Sequence, residues 1–309
     1  MRLLFMGTPD FSVPTLQCLI ESKHQVIAVV TQPDKPKGRG NKVLSTPVKE
    51  LALKYNIPVY QPLRVKEQSF INLIKDMNLD AIIVIAFGQI LPKQLLDIPK
   101  YGAINIHASL LPKYRGAGPI QWAVINGEKK SGLTTMMMDV GLDTGDMLLK
   151  QEIELEKQET GETLHNKLSI MGGPLVLETL DKIEDNSIIR VPQDNEAATY
   201  APMLSKELGK IDWKKDAAEI ERLIRGLNPW PTAYTYIDDK IMKIWKAEEV
   251  FENGDYKPGQ VYNVEKNGFF VKCGINALYI NELQLQGKKK MDSASFLRGV
   301  KLEKGTLLV

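Results

Sequence analysis

The chain predicts an α/β domain built on a Rossmann-like, open, parallel-rich sheet, followed by a small OB-like β-barrel domain. Three observations carry that expectation. Short apolar strands alternate with segments of helical period through the first half of the sequence, the order an open α/β sheet needs. Ala81–Ala86 reads AIIVIA, a continuous apolar run suited to a strand covered on both faces. After Lys206 the helical pattern largely gives way to short β-like runs parted by turn residues, as in a small barrel.

The elements follow in order. Arg2–Met6 is an apolar strand ending in the turn GTPDF, and Val13–Glu21 has helical period. Val26–Thr31 is a β-branched strand. Thr46–Tyr55 forms a helix that tolerates Pro47 in its first turn, and Phe70–Met77 forms another. Ala81–Ala86 and Ala103–His107 supply the next strands, with Ser131–Asp139 and Met147–Glu154 flanking an Asp-rich turn. Thr160–Asp185 is a long helical stretch that Gly172, Gly173 and Pro174 should interrupt. Asn186–Lys206 is polar and carries Pro192 and Pro202, the composition of a crossover. A helix at Asp216–Arg225 precedes strands at Ala233–Tyr236, Lys240–Ala247, Gly259–Glu265, Phe269–Cys273 and Ala277–Leu285. The expected division is a catalytic domain over 1–189, a linker over 190–206 and a barrel over 207–309.

Composition excludes several classes of function. The net charge of +2 over 309 residues is too small for a uniformly basic nucleic-acid coat. Charge is instead local. Between Pro33 and Lys54 the residues Lys35, Lys37, Arg39, Lys42, Lys49 and Lys54 face only Asp34 and Glu50, and glycines at 38 and 40 flank Arg39. Cys18 and Cys273 are the only cysteines and lie in no redox or metal spacing. No uncharged apolar run is long enough to span a membrane, and MRLLFMG is too short an apolar opening for a signal peptide. A cytoplasmic chain is expected.

The chemistry concentrates in AINIHASLLPKYR. Asn105 and His107 stand two positions apart at the end of a strand, so one strand face carries both. Ligands of open α/β sheets bind outside such carboxyl ends. An asparagine amide can donate to a carbonyl oxygen that turns negative, and a histidine titrates near neutrality. DVGLDTGD at Asp139–Asp146 can bring Asp143 to orient the imidazole. By pattern alone each of these residues also fits a plain structural role. No GxSxG elbow is present, His24 and His165 share no metal spacing with His107, and GTPDF is not a dinucleotide fingerprint. No metal is expected. Trp213, Trp230 and Trp245 read as core or interdomain packing.

Longer motifs add a resemblance. FMGTPDFSVPTL at 5–16, TQPDKPKGRGNKVLSTPVKELA at 31–52, AFGQILP at 86–92, INIHASLLPKYRGAGPIQWAVINGE at 104–128, TTMMMDVGLDTGDML at 134–148, KIDW at 210–213 and GLNPWPTAY at 226–234 resemble the methionyl-tRNA formyltransferases over essentially the full length. The NxHxSLLPxxRG and DxGxDTG pair is similar to the wider group of formyltetrahydrofolate-using enzymes, and the first two segments with NPWP narrow it. The resemblance implies formyl transfer from 10-formyltetrahydrofolate to methionyl-initiator tRNA, by a monomer. It makes Asn105, His107 and Asp143 the catalytic set. It places the folate along Phe87, Gly88, Gln89, Ile90, Leu91 and Pro92 and along Ser109, Leu110, Leu111 and Pro112. It gives the basic loop, with Arg39 foremost and Lys37 and Lys42 beside it, to the tRNA acceptor region, and the barrel to the tRNA body. Competing readings are a formyltransferase for a small amine, a hydrolase releasing formate, and an RNA-binding protein with a relic sheet.

Overall fold

The computed structural model describes residues 1–37 and 42–309, with the side chains of Lys37 and Lys42 also outside the description. The chain divides into two compact units. Unit one comprises residues 1–116, 130–154 and 165–201, and unit two comprises 117–129, 155–164 and 202–309.

Unit one is built on a seven-stranded sheet in the order Met147–Glu154, Lys130–Met137, Ala103–His107, Ala81–Ile85, Arg2–Gly7, Gln25–Val30, Val59–Tyr60. The five strands from Ala103–His107 to Val59–Tyr60 run parallel, and Lys130–Met137 pairs antiparallel with both of its neighbours. The chain therefore builds outward from Arg2–Gly7 in one direction and then returns to add strands on its other side. The carboxyl ends of Arg2–Gly7 and Ala81–Ile85 form the topological switch point, where open sheets bind their ligands. All of Ala81–Ile85 is buried, as the unbroken apolar run requires. Ser12 Oγ donates to the Ile85 carbonyl at 2.8 Å and locks the first turn against that strand.

The helix Gly161–Glu184 differs from expectation. It runs unbroken for 24 residues with Pro174 inside it. Gly172 and Gly173 mark close packing: a Cβ on Gly172 would lie 2.5 Å from Thr15 Oγ1, and one on Gly173 would lie 2.6 Å from Cys18 Cβ. Both contacts are with the helix Val13–Ile20. The glycines let two helices approach at a separation no side chain would permit.

The basic loop carries a short antiparallel ribbon, Lys35–Lys37 with Lys42–Leu44. Arg39 lies outside the described residues. The base of the ribbon is fixed by side chains. Buried Thr31 and Thr46 share a hydroxyl hydrogen bond of 2.8 Å, and Thr46 caps the helix Pro47–Lys54 by accepting from Lys49 N. Lys49 Nζ donates to Asp34 Oδ2 at 2.6 Å and Gln61 Oε1 at 2.8 Å, so this lysine belongs to the scaffold. The Lys49 ammonium and the Gln61 amide beside Asp34 hold its carboxyl below the usual carboxylate range.

Unit two centres on an antiparallel sheet in the order Ala233–Ile237, Lys240–Val250, Ala277–Leu285, Gly268–Lys272, Val261–Glu265, with Met291–Asp292 also on Ala277–Leu285. Alternating residues point inward. Met242, Ile244, Val261, Phe269, Val271, Leu278, Ile280 and Leu283 form its core with Trp213 and Phe296. The two outer strands are joined through the segment Thr306–Val309. Val261 N donates to Thr306 O and Leu308 N to Gly259 O on one side, while Tyr236 and Val309 exchange both main-chain bonds on the other. That segment bridges the two outer strands and covers part of each edge. The helices Pro119–Ile125 and Ala217–Gly226 also pack together in this unit, where Gly226 sits against Ile125. Trp213 is in the core, but Trp230 is exposed and Trp245 is half-buried with Lys290 Nζ 5.1 Å from its ring centroid. These three tryptophans thus have three environments.

Among the described residues no helix is long and apolar enough to cross a membrane. Leu308 fills the barrel from its closing segment and is 1% exposed. Leu308→Ala should destabilise the protein by about 2–4 kcal/mol in urea unfolding, the cost of a core cavity. A loss under about 1 kcal/mol would show that the closing segment does not carry core packing.

Candidate active site

Ala103–His107 is an interior strand of the sheet. Val84 pairs with Asn105 on one side and Thr134 with His107 on the other. Four of its five residues are buried and Asn105 is the half-exposed exception. Among the described residues no hydrogen bond engages the Asn105 side chain, so its amide is free for a ligand at the edge of the sheet. His107 is buried, and its Nε2 lies 2.8 Å from the Tyr114 carbonyl. A carbonyl only accepts, so Nε2 carries a hydrogen. The other nitrogen, Nδ1, faces Asp143 Oδ2 at 3.7 Å. The sequence residues Asn105, His107 and Asp143 are thus brought to one end of the sheet, His107 and Asp143 in direct apposition.

The loop that delivers Asp143 explains its own composition. Asp139 accepts from Gly141 N and from the Thr144 hydroxyl, closing the turn. Gly145 passes close beneath the Met137 carbonyl, where a side chain would collide. Asp143 itself has φ +54°, a left-handed conformation uncommon for a non-glycine residue. Its Oδ2 accepts from Gly116 N at 2.8 Å. Gly116 has φ +108°, and a Cβ there would meet the Tyr200 ring at 2.5 Å and the Ala201 carbonyl at 2.8 Å. Only glycine fits this position.

The two loops expected to meet a folate divide by side chain. At the switch point the Ala86–Pro92 loop turns on positive φ values at Ala86 and Gly88. Phe87 and Leu91 are buried in the sheet core, whereas Gly88 is exposed and Ile90 is 80% exposed. The Phe87 carbonyl accepts from Thr8 Oγ1 at 3.0 Å and Gln32 Nε2 at 3.2 Å. Gln89 is tied to Val65 N and Leu63 O, and Pro92 is half-buried. In the second segment Ser109 Oγ donates to Lys113 O at 2.6 Å, and Leu111 packs with Met136 and Met147. Thr134 Oγ1 bonds both Ser109 O and Leu111 N, fixing the segment to the sheet. Leu110 and Pro112 remain half-exposed. Phe87, Leu91, Ser109 and Leu111 therefore hold the loops, while Gly88, Ile90, Leu110, Pro112 and the loop backbones present an apolar, peptide-lined surface. That surface suits a flat heterocycle whose edge hydrogen-bonds to main chain.

Comparison with known proteins follows the same division of the chain. The formyl transferase family model matches residues 1–180, and the formyl transferase C-terminal domain model matches 203–301. The methionyl-tRNA formyltransferase of Agathobacter rectalis is 56% identical over 306 residues, covering 99% of both chains. This chain belongs to the methionyl-tRNA formyltransferase family. The family member of Clostridioides difficile is 50% identical over 308 residues, covering both chains completely. Among solved structures the sugar 3N-formyl transferase WlaRD, described with dTDP and 5-N-formyl-THF, has a TM-score of 0.68 at 22% identity, covering 94% of this chain and 99% of that one. At that identity the likeness is one of fold.

Sequence reasoning missed four contributors to the site. Tyr114 supplies a carbonyl, Gly116 supplies an amide, and Gln193 and Thr199 come from the stretch that reads as a polar crossover. Thr199 Oγ1 accepts from Tyr114 N at 2.8 Å, and its carbonyl accepts from Arg115 N at 2.9 Å. The glycine at 116, directly after the SLLPKYR motif, was the one signal available, since only glycine takes such a backbone freely. Gly116→Ala should destabilise the protein by about 1–3 kcal/mol in thermal or urea unfolding, from the left-handed backbone and the lost space. Unchanged stability would mean Tyr200 and Ala201 shift freely.

Proposed function

We propose that this protein transfers the formyl group of 10-formyltetrahydrofolate to the α-amine of methionine esterified to initiator tRNA, with Asn105, His107 and Asp143 as its catalytic residues. The observation that carries the reading is the free Asn105 amide on the same strand face as His107, whose ring is backed by Asp143 at 3.7 Å. The folate co-substrate supplies an activated formyl carbonyl. Asn105 donates to that carbonyl oxygen as it becomes negative on attack by the neutral amine. His107 keeps the Nε2 hydrogen on Tyr114 throughout, so proton exchange at the ring concerns Nδ1. Protonated there, the ring places positive charge against Asp143 and beside the developing oxyanion. Asp143, fixed by Gly116 N, receives the proton the amine must lose, and the pair returns one to the departing N10. The formyl carbon leaves N10 and joins the amine nitrogen, one C–N bond breaking as another forms, so no protein nucleophile is required.

The wider assignments belong to the same reading. The part of residues 1–189 that lies in unit one carries the catalysis, and 207–309, within unit two, hold the tRNA body. Phe87–Pro92 and Ser109–Pro112 flank the folate, with the exposed members and the backbone in contact and the buried members as support. Arg39, with Lys37 and Lys42, reaches the acceptor region, supported by its place between two glycines in a strongly basic stretch. The protein works in the cytoplasm as a monomer.

Formylation assays test this directly. Asn105→Ala and His107→Ala should each lower kcat by about 100-fold or more while formyl-donor binding persists. Wild-type enzyme should favour methionyl-tRNA over a free small amine, and equal use of both acceptors would point to a small-amine enzyme. Arg39→Ala should raise the KM for initiator tRNA by about tenfold and flatten its salt dependence, leaving folate binding intact. Equal losses toward both substrates would remove Arg39 from tRNA recognition.

A further inference from the structure

The segment from Val191 to Ala201, polar and proline-bearing, is built into the rim of the site. Val191 and Met147 exchange main-chain hydrogen bonds of 2.9 Å at the exit of the Asp139–Asp146 loop. Two residues later, Gln193 spends its whole side-chain amide on that loop. Its Nε2 donates to the Asp143 carbonyl at 2.7 Å and to the Gly145 carbonyl at 2.8 Å. Its Oε1 accepts from Arg115 Nε at 3.0 Å, and Arg115 NH2 donates on to Asn195 Oδ1 at 2.9 Å. Both loop oxygens can only accept, so the orientation of the amide is fixed. Asp143 sits in the left-handed region at φ +54°, uncommon for a non-glycine residue, and outside bonds to its backbone help to fix it there. The Asp139 and Thr144 bonds close the turn from within, whereas the two Gln193 bonds tether Asp143 and Gly145, two residues on, to the body of the unit.

We propose that Gln193 is a positioning residue for Asp143. It sets the distance and angle between the carboxylate and His107 by clamping the backbone of the residue that carries the carboxylate. The proposal rests on the reading of Asp143 as the group that handles the proton. Arg115 completes the device from the opposite side. Its side chain orients Gln193, and the next residue, Gly116, donates to the Asp143 carboxylate. Backbone and side chain of Asp143 are therefore held by a single short network in which the glutamine is the donor to the backbone. No other residue type of that length offers two N–H donors and one acceptor in this arrangement.

The test compares full-length Gln193→Ala, Gln193→Glu, Asp143→Asn and the Asp143→Asn/Gln193→Ala double variant in formylation of methionyl-tRNA, with melting temperatures as a control on folding. Gln193→Ala should lower kcat roughly 10- to 100-fold, the effect expected of a displaced catalytic group, with little change in either KM. Gln193→Glu keeps size and the Arg115 contact but turns a carboxylate toward two carbonyls, and should lose kcat similarly at neutral pH. In the Asp143→Asn background, Gln193→Ala should cost no more than about twofold, because the group it positions is already disabled. Loss of kcat by the full factor in both backgrounds would mean a general structural role and overturn the proposal. Near-normal kcat for Gln193→Ala with an impaired Asp143→Asn would also overturn it and leave the reading of Asp143 standing. Near-normal turnover of Asp143→Asn would instead defeat that reading, and the proposal with it.

Discussion

A single left-handed turn, Tyr114–Gly116, controls the site. Tyr114 has φ +61° and Gly116 φ +108°. The turn aims one carbonyl at the His107 ring and, two residues on, one amide at the Asp143 carboxylate. The imidazole and the carboxylate are thus aligned through backbone groups, not through a short bond to each other. A tyrosine in this conformation costs about 1–3 kcal/mol, which its main-chain bond to Thr199 and the pairing of Arg115–Gly116 with Tyr200–Ala201 help offset. Backbone donors and acceptors held by a sheet need little reorganisation when charge nearby changes.

The sheet makes that turn possible. Strand order puts Ala103–His107 beside the switch point, so its carboxyl end opens on the same rim as the Ala86–Pro92 loop. Thr134 on the adjacent strand then ties down the segment that follows His107. The close seam at Gly172 and Gly173 packs the long helix onto Val13–Ile20, the helix that follows the first turn of the switch. Packing remote from the chemistry therefore reaches the rim through rigid elements.

Much of this was legible in the chain, for reasons that differ by residue. Asn105 and His107 share a face because a strand has period two, a local property that needs no tertiary knowledge. The apolar Ala81–Ala86 run announced a strand covered on both faces because it is continuous and shows no such alternation. Asp143 could be read from its Asp-rich turn as a partner for His107, but by pattern a plain turn fitted equally, and the resemblance singled it out, since the fold brings together residues far apart in sequence. Gln193 and Thr199 were not legible at all. Their bonds go to backbone atoms, and backbone partners leave no mark on composition. Gly172 and Gly173 were misjudged because a glycine that breaks a helix and one that admits a neighbour look alike until the neighbour is known. Lys49 read as one more charge of a basic loop, yet its partners Asp34 and Gln61 make it a strut.

Residues 117–129 and 155–164 cluster with the second unit although both lie in sequence within the first. The helix Pro119–Ile125 buries Ile120, Ala123 and Val124, and its partner is the helix Ala217–Gly226. A chain made from its amino end therefore presents this apolar helix nearly a hundred residues before its cover exists. The two units are interlaced in order of synthesis, and the second is not a module that can be excised by one cut near Pro202. The contact between these two helices can form only once the late half of the chain has been made.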